Sequence, residues 1–215
     1  MVSQVKTLAL HGLDGYLINV EVDISGGLPY LEIVGLPDAS VKEAKERVRI
    51  AIKNSDIEFP SRRIIVNLSP ANTRKEGSSF DLPIAVGILL ATEHIINQNI
   101  QNYAFVGELS LDGKLNKVRG ILPMCIEAKR LGIKELIIPK DNALEAGVVK
   151  GIKVIPVESL MEVIEYLNGV KEIEGYEVNL DDVFKNNEKY ELDFSDVKGQ
   201  ENVKRALEIA ASRRS

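Results

Sequence analysis

Three groups of residues in this chain could do chemistry. Gly77-Ser78-Ser79 leads into DLPIAVGILLATEHI, a run apolar nearly all round, as a helix enclosed by its neighbours must be. A serine at such a helix start has two uses. It accepts a backbone N–H as a cap, and Ser78 with Asp81 fits a capping pair. It is also a nucleophile at the positive end of the helix dipole, if a desolvated lysine takes its proton. The second group is basic: Arg62-Arg63, Arg74-Lys75, Lys114, Lys117, Arg119, Lys129-Arg130 and Lys134. Arg74, Lys75 and Arg119, with Lys117 close by, sit in or beside the loops around that serine. They form either a solvated mixed-charge surface or a phosphate-contacting rim, whose binding would depend steeply on salt. The third group is the two histidines. His11 lies in a turn and His94 at a helix end, where a cation suits the dipole, so both read as surface residues.

Other chemistries lack their residues. A phosphate-binding loop needs G-x-x-x-x-G-K-[ST]. The nearest run, GELSLDGKL from Gly107 to Leu115, is one residue too long and ends in leucine where a hydroxyl is required. No G-x-G-x-x-G fingerprint occurs. The single Cys125 forbids an intrachain disulfide, and one cysteine with two histidines makes a structural zinc site an unpromising reading. The longest apolar stretch, Leu82 to Ala91, is half a membrane span, and the start has no basic-then-apolar leader pattern. These features predict a cytoplasmic chain with no membrane partner and no metal site.

The 215 residues carry 27 Lys and Arg against 32 Asp and Glu, a formal charge of −5. A nucleic-acid site must therefore be a local patch. The acid is concentrated: residues 171–196 hold nine acids and three bases, and the remainder is +1. That stretch has no sustained apolar period and predicts an extended connector. Hydropathy patterning places strands over 2–10, 15–24 and 30–35 as antiparallel hairpins. A helix spans Asp38 to Lys53, with Ser40 and Glu43 as a capping box. A strand follows at 63–68, and the buried helix runs from about Phe80 to His94. Strand-like runs cover 103–111 and 114–118. A helix at about 120–131, a strand at 135–138, a short helix near 141–147, a strand at 152–157 and a helix at 159–167 complete a mixed α/β body with helices packed on a sheet. In the tail, Val203, Ala206, Leu207 and Ala210 form an apolar helical stripe.

Longer segments carry a resemblance: VEVDISGGLPYLEIVGLPDASVKEAKERVRIAI, NLSPANTRKEGSSFDLPIAVGILLA, GELSLDGKL and VRGILP. From Met1 to about Asn168 the chain resembles the N-terminal domain of the ComM/YifB family, AAA+ ATPases of magnesium-chelatase subunit I type. The same module is similar to the Lon protease domain and the C-terminal domain of RadA. The resemblance implies an α/β (α+β), ribosomal protein S5 domain 2-like, two-layer sheet-and-helix fold. In Lon the nucleophile lies in a G-P-S-A-G setting, which corresponds here to Gly77-Ser78-Ser79-Phe80-Asp81 and puts Ser79 in its place. Lon's catalytic lysine lies in a G-G-L-K run. That run corresponds to Arg119-Gly120-Ile121-Leu122, so Leu122 replaces the lysine. A leucine takes no proton, and Asp81 stands where Lon has glycine. The resemblance thus implies a protease-like fold without peptidase chemistry. A Ser-Lys peptidase would need Lys75 or Lys117 to reach Ser79.

The tail DFSDVKGQENVKRALEIAA resembles the opening of the family's ATPase module, which implies that Val197, Gly199 and Gln200 lie beside the adenine. The resulting expectation is a Lon-like domain over 1–168, an acidic linker over 169–193 and the truncated start of an AAA+ module over 194–215, with its stripe exposed. The closing Ser-Arg-Arg-Ser departs from the Gly-rich continuation of such modules. No cofactor is expected in this stretch, and ATP and magnesium in the full-length protein. The resemblance implies a homo-oligomeric, hexameric ring that processes single- or double-stranded DNA by branch migration in natural transformation. In it this domain would be a non-catalytic assembly and DNA-guiding tier, with Arg74, Lys75, Lys117 and Arg119 as DNA contacts. A magnesium-chelatase accessory role is the remaining alternative.

Overall fold

The computed structural model describes residues 2–179 and 197–212. The body, up to Val178, is mixed α/β. Strands β1 (Val2–His11) and β2 (Asp14–Ser25) form the expected antiparallel hairpin, with Val5 opposite Val20. β3 (Tyr30–Val34) does not continue the meander. Helix α1 (Ala39–Asn54) carries the chain over to β4 (Arg63–Ser69), and β3 pairs with β4 in parallel, Tyr30 opposite Arg63. This is a β-α-β unit, because parallel neighbours need a crossover of such length. Asp38, not Ser40, caps α1: its carboxylate accepts the Val41 N–H at 2.8 Å.

After β4 come α2 (Asp81–Ala91), β5 (Tyr103–Phe105), and β6 (Glu108–Leu109) with β7 (Leu115–Asn116) as a separate two-stranded ribbon. The run 103–111 is therefore two strands in two sheets. Helix α3 (Ile121–Arg130), β8 (Glu135–Pro139), the single turn α4 (Ala143–Ala146), β9 (Lys153–Val157) and α5 (Leu160–Leu167) finish the body. The main sheet has the order β3-β4-β2-β1-β5-β8-β9, antiparallel only at β4-β2 and β2-β1.

One face of the sheet is buried along its length. Ile18, Val20, Val22, Ile64, Val66 and Leu68 alternate inward there against α1 and α2, as period-two patterning requires. The opposite face is covered over the start of β2, around Gly15 and Leu17, and toward β1, β5, β8 and β9, where α3 and α4 pack through Ile121, Met124, Cys125, Ala128 and Ala146. Over the rest of β2 and over β4 it is polar, and Asn67 Nδ2 donates to Glu21 Oε2 at 2.9 Å. The arrangement is two-layered at one end and three-layered at the other. Burial pushes the Cys125 thiol up to about 11, as for a structural cysteine.

Residues expected to open the acidic linker also dock. Val178 is buried, Ile173 packs against the core, and the Tyr176 N–H donates to the Val154 carbonyl at 2.8 Å. Most of the predicted linker, 180–193, lies outside the described residues. The tail forms α6 (Glu201–Ser212), with Val203, Leu207 and Ile209 about half exposed.

α2 meets the sheet at Gly87, where an added Cβ would stand 2.7 Å from Val22 Cγ2. Gly87→Ala is therefore expected to lower stability by about 1–3 kcal/mol, although alanine is the better helix former. Urea denaturation of Gly87→Ala, Val22→Ala and the double variant should show favourable coupling between the two sites. Additive losses would mean that the contact is slack.

Candidate functional site

The serine loop is held from three sides. The Leu82 N–H donates to the Gly107 carbonyl and the Gly107 N–H to the Ser79 carbonyl, each at 3.0 Å. The Asp81 N–H donates to the Ser78 carbonyl at 3.3 Å, and Pro83 has none to offer. Phe80, not Ser78, occupies the cap position of α2 and makes no side-chain cap bond. The Ser78 hydroxyl instead donates to the Glu108 carboxylate. The other oxygen of Glu108 accepts from Asn116 Nδ2 at 3.0 Å, and Asn116 Oδ1 accepts from Ser110 at 3.0 Å. This polar chain ties the β6-β7 ribbon to the loop.

Asp81 is fully buried. Arg47 of α1 meets it twice, Nε to Oδ2 at 2.7 Å and Nη2 to Oδ1 at 3.0 Å, and the Leu109 N–H adds a bond to Oδ2 at 3.1 Å. Burial pushes the carboxyl above its usual range, and Arg47 and Leu109 oppose that rise. Arg47 also donates to the Ser40 carbonyl at 3.2 Å. Sequence patterning does not identify this pair. The available signal is an acid at the head of an apolar helix, which demands a partner, but nothing local names Arg47 among the cations of α1.

On the other side of the loop lies a pocket of about 480 Å³. Ser79 lines it together with Gly77, Ser78, Glu108, Lys117 and Arg119. Ser79 is 8% exposed, and its hydroxyl makes no hydrogen bond among the described residues. Lys117 and Arg119 are exposed, and their side chains have no partner there either. The segment that carries them, after β7, is fixed by buried Asn142, whose side chain exchanges hydrogen bonds with both the N–H and the carbonyl of Val118 at 2.9 and 2.8 Å. Gly120 follows in the left-handed region at φ +72°, where a Cβ would stand 2.2 Å from Leu10 Cδ1. Leu122 sits in the first turn of α3, half-buried, outside the pocket lining.

Lys75 is a correction to the predicted rim. It is completely buried, and its amine donates to the Pro70 carbonyl. Burial pulls its pKa below the usual lysine value. It reaches neither solvent nor Ser79. Its backbone is stitched to the β3-α1 turn, accepting from the Asp38 N–H at 3.0 Å and donating to the Leu36 carbonyl at 3.1 Å. Arg74 and Glu76 flank it on the outside and pair with each other at 3.3 Å. Arg74 faces a neighbouring hollow with His11 and Tyr16, and the Tyr16 hydroxyl donates to its carbonyl at 3.2 Å. His94 lies apart, its Nδ1 2.9 Å from Thr92 Oγ1. In the tail, Val197 is 43% exposed, Gly199 and Gln200 have φ of +77° and +58°, and the Gln200 carbonyl accepts from Val203 and Lys204 at the start of α6. No cluster of three His, Cys, Asp or Glu that could hold a metal occurs among the described residues. No helix there is long and apolar enough to cross a membrane.

Residues 20–142 match the family described as subunit ChlI of Mg-chelatase. The chain is 40% identical over 209 residues to competence protein ComM of Haemophilus influenzae, covering 97% of this chain and 41% of that protein. It is 42% identical over 210 residues to the uncharacterized protein YifB of Escherichia coli, covering 98% of this chain and 40% of that one. An archaeal Lon protease of Methanocaldococcus jannaschii is 26% identical over 149 residues, covering 69% of this chain and 22% of the protease. The chain thus spans about two-fifths of the length of the ComM and YifB relatives.

Removing one partner of a buried ion pair strands the other charge. Arg47→Met is expected to lower unfolding free energy by roughly 3–5 kcal/mol, and Arg47→Met with Asp81→Leu to recover most of that loss. Equilibrium urea unfolding of the single and double variants checks this. If the double variant is as unstable as the sum of its parts, the pair is not the clamp described.

Proposed function

Because the chain belongs to the ComM/YifB family, whose domain carries the description subunit ChlI of Mg-chelatase, we propose that it is the non-proteolytic assembly and DNA-guiding part of a larger AAA+ motor. The observation that carries this reading is the state of Ser79: a hydroxyl open to a pocket, with no proton acceptor bonded to it. Lys75, which lies nearest in sequence, is turned away onto Pro70. Full-length proteins of this type would form a hexameric ring, use ATP and Mg²⁺, and act on single- or double-stranded DNA in branch migration during transformation.

In that assembly residues 1–168 would form one tier and the acidic segment 169–193 would lead to the ATPase tier. Residues 194–215 would begin the motor, with Val197, Gly199 and Gln200 on the adenine side. The phosphates would have to be cradled elsewhere, because no G-x-x-x-x-G-K-[ST] run occurs in the chain. Arg74, Lys117 and Arg119 would contact the DNA backbone, and Lys75 would support them from within.

A second reading has one observation in its favour. Lys117 lines the same pocket as Ser79, so a Ser-Lys hydrolase would draw its base from there. The amine makes no hydrogen bond to the hydroxyl, and the free-base geometry such a dyad needs is therefore missing.

The DNA reading is tested by duplex binding as a function of salt. Each phosphate contact contributes a log–log slope of about 0.9. Arg74→Ala with Arg119→Ala should flatten the slope by about 1.8 if each meets one phosphate. An unchanged slope would remove these residues from the DNA path.

A further inference from the structure

The Ser79 pocket has the donors of an oxyanion site. Ser79 is more than nine-tenths buried as a residue, lines the pocket, and its hydroxyl has no hydrogen-bond partner among the described residues. The N–H groups of Ser78, Ser79 and Phe80, just before α2, donate to no acceptor among the described residues, whereas those of Asp81 and Leu82 are already taken. Lys117 and Arg119 bring two unpaired cations to the opposite wall.

Two carboxylates also line the pocket, and both are engaged. Glu108 accepts from Ser78 and Asn116, and Glu76 pairs with Arg74. Glu108 keeps its charge, because both its partners are neutral, and with Glu76 paired to Arg74 the two cations Lys117 and Arg119 still outnumber it. Arginine holds planar oxyanion edges through two parallel bonds and lysine adds a point charge. At about 480 Å³ the space exceeds what a bare inorganic ion needs, so it suits an oxyanion carried on an organic body.

We infer that this pocket binds a terminal phosphate, the doubly charged end group of a phosphomonoester, between the Ser79 hydroxyl and the Lys117 and Arg119 side chains. The phosphate could come from the 5′ end of a nucleic-acid strand or from a free mononucleotide. Lys117 and Arg119 also belong to the proposed DNA rim, and the inference rests on that reading only for the strand-end source.

Calorimetric titration of the chain with thymidine 5′-monophosphate and with thymidine tests it without DNA. The nucleotide should bind and the nucleoside should not. Arg119→Gln and Ser79→Val should each weaken nucleotide binding by about tenfold or more, and Lys42→Ala, an exposed cation of α1 outside the pocket, should leave it unchanged. If Ser79→Val does not fold, the exposed Arg119 variant decides. Equal binding of nucleotide and nucleoside, binding of neither, or indifference to Arg119→Gln would overturn the inference. A 5′-phosphorylated oligonucleotide that outbinds its 5′-hydroxyl twin assigns the phosphate to a strand end. Twins that bind alike, with nucleotide binding intact, assign it to a free mononucleotide. An unchanged salt slope in the Arg74→Ala with Arg119→Ala variant alone would sink the DNA reading and leave this one standing.

Discussion

Asp81 places a carboxylate, sealed from water, at the first residue of a helix that is otherwise almost wholly apolar. An ionised group so placed persists only if nearby donors replace its hydration. Arg47 supplies two and the Leu109 amide a third. Those three bonds join α1, the head of α2 and the β6-β7 ribbon at one point. The loop 77–80 hangs from that point, so the direction in which Ser79 faces follows from it. A glycine at position 81 would carry no charge and recruit neither α1 nor the ribbon. The charge at position 81 therefore decides what the loop is anchored to.

The same anchoring accounts for the character of the pocket. The loop carbonyls and the N-terminal amides of α2 are occupied internally, and Glu108 is held by Ser78 and Asn116. What remains open is one hydroxyl, three upstream amides and the two cations of the segment after β7. Such a set can hold an anion. It lacks the bonded base that would make the hydroxyl a nucleophile.

Much of the scaffold is legible in the sequence. Unbroken hydrophobicity marks α2 as enclosed, and alternation marks the β1-β2 hairpin. The partner of β3 is not legible from alternation, because pairing is set by contacts thirty residues away. The strand–helix–strand order over 30–69 is the cue for its parallel pairing. The α1 cap is ambiguous for a local reason: Asp38 and Ser40 are both good caps two residues apart. Lys75 misleads because its neighbours Arg74 and Glu76 are charged, yet alternation through an extended segment turns the middle residue inward. Ile173, Tyr176 and Val178 are three apolar residues among acids, and they suffice to dock a stretch whose charge alone suggests a connector. The site's position at Ser79 is readable from the helix entry. Its anchors, Arg47 and Asn142, are not, since each comes from a different element and acts through tertiary contact.

The central claim is that Ser79 has no base. Treating the folded chain with a serine-directed fluorophosphonate and weighing the intact protein tests it most directly. The account predicts an unmodified mass, with Ser79 unlabelled over hours at neutral pH. A single adduct mapped to Ser79, and abolished by Lys117→Ala, would establish an activated nucleophile and contradict it.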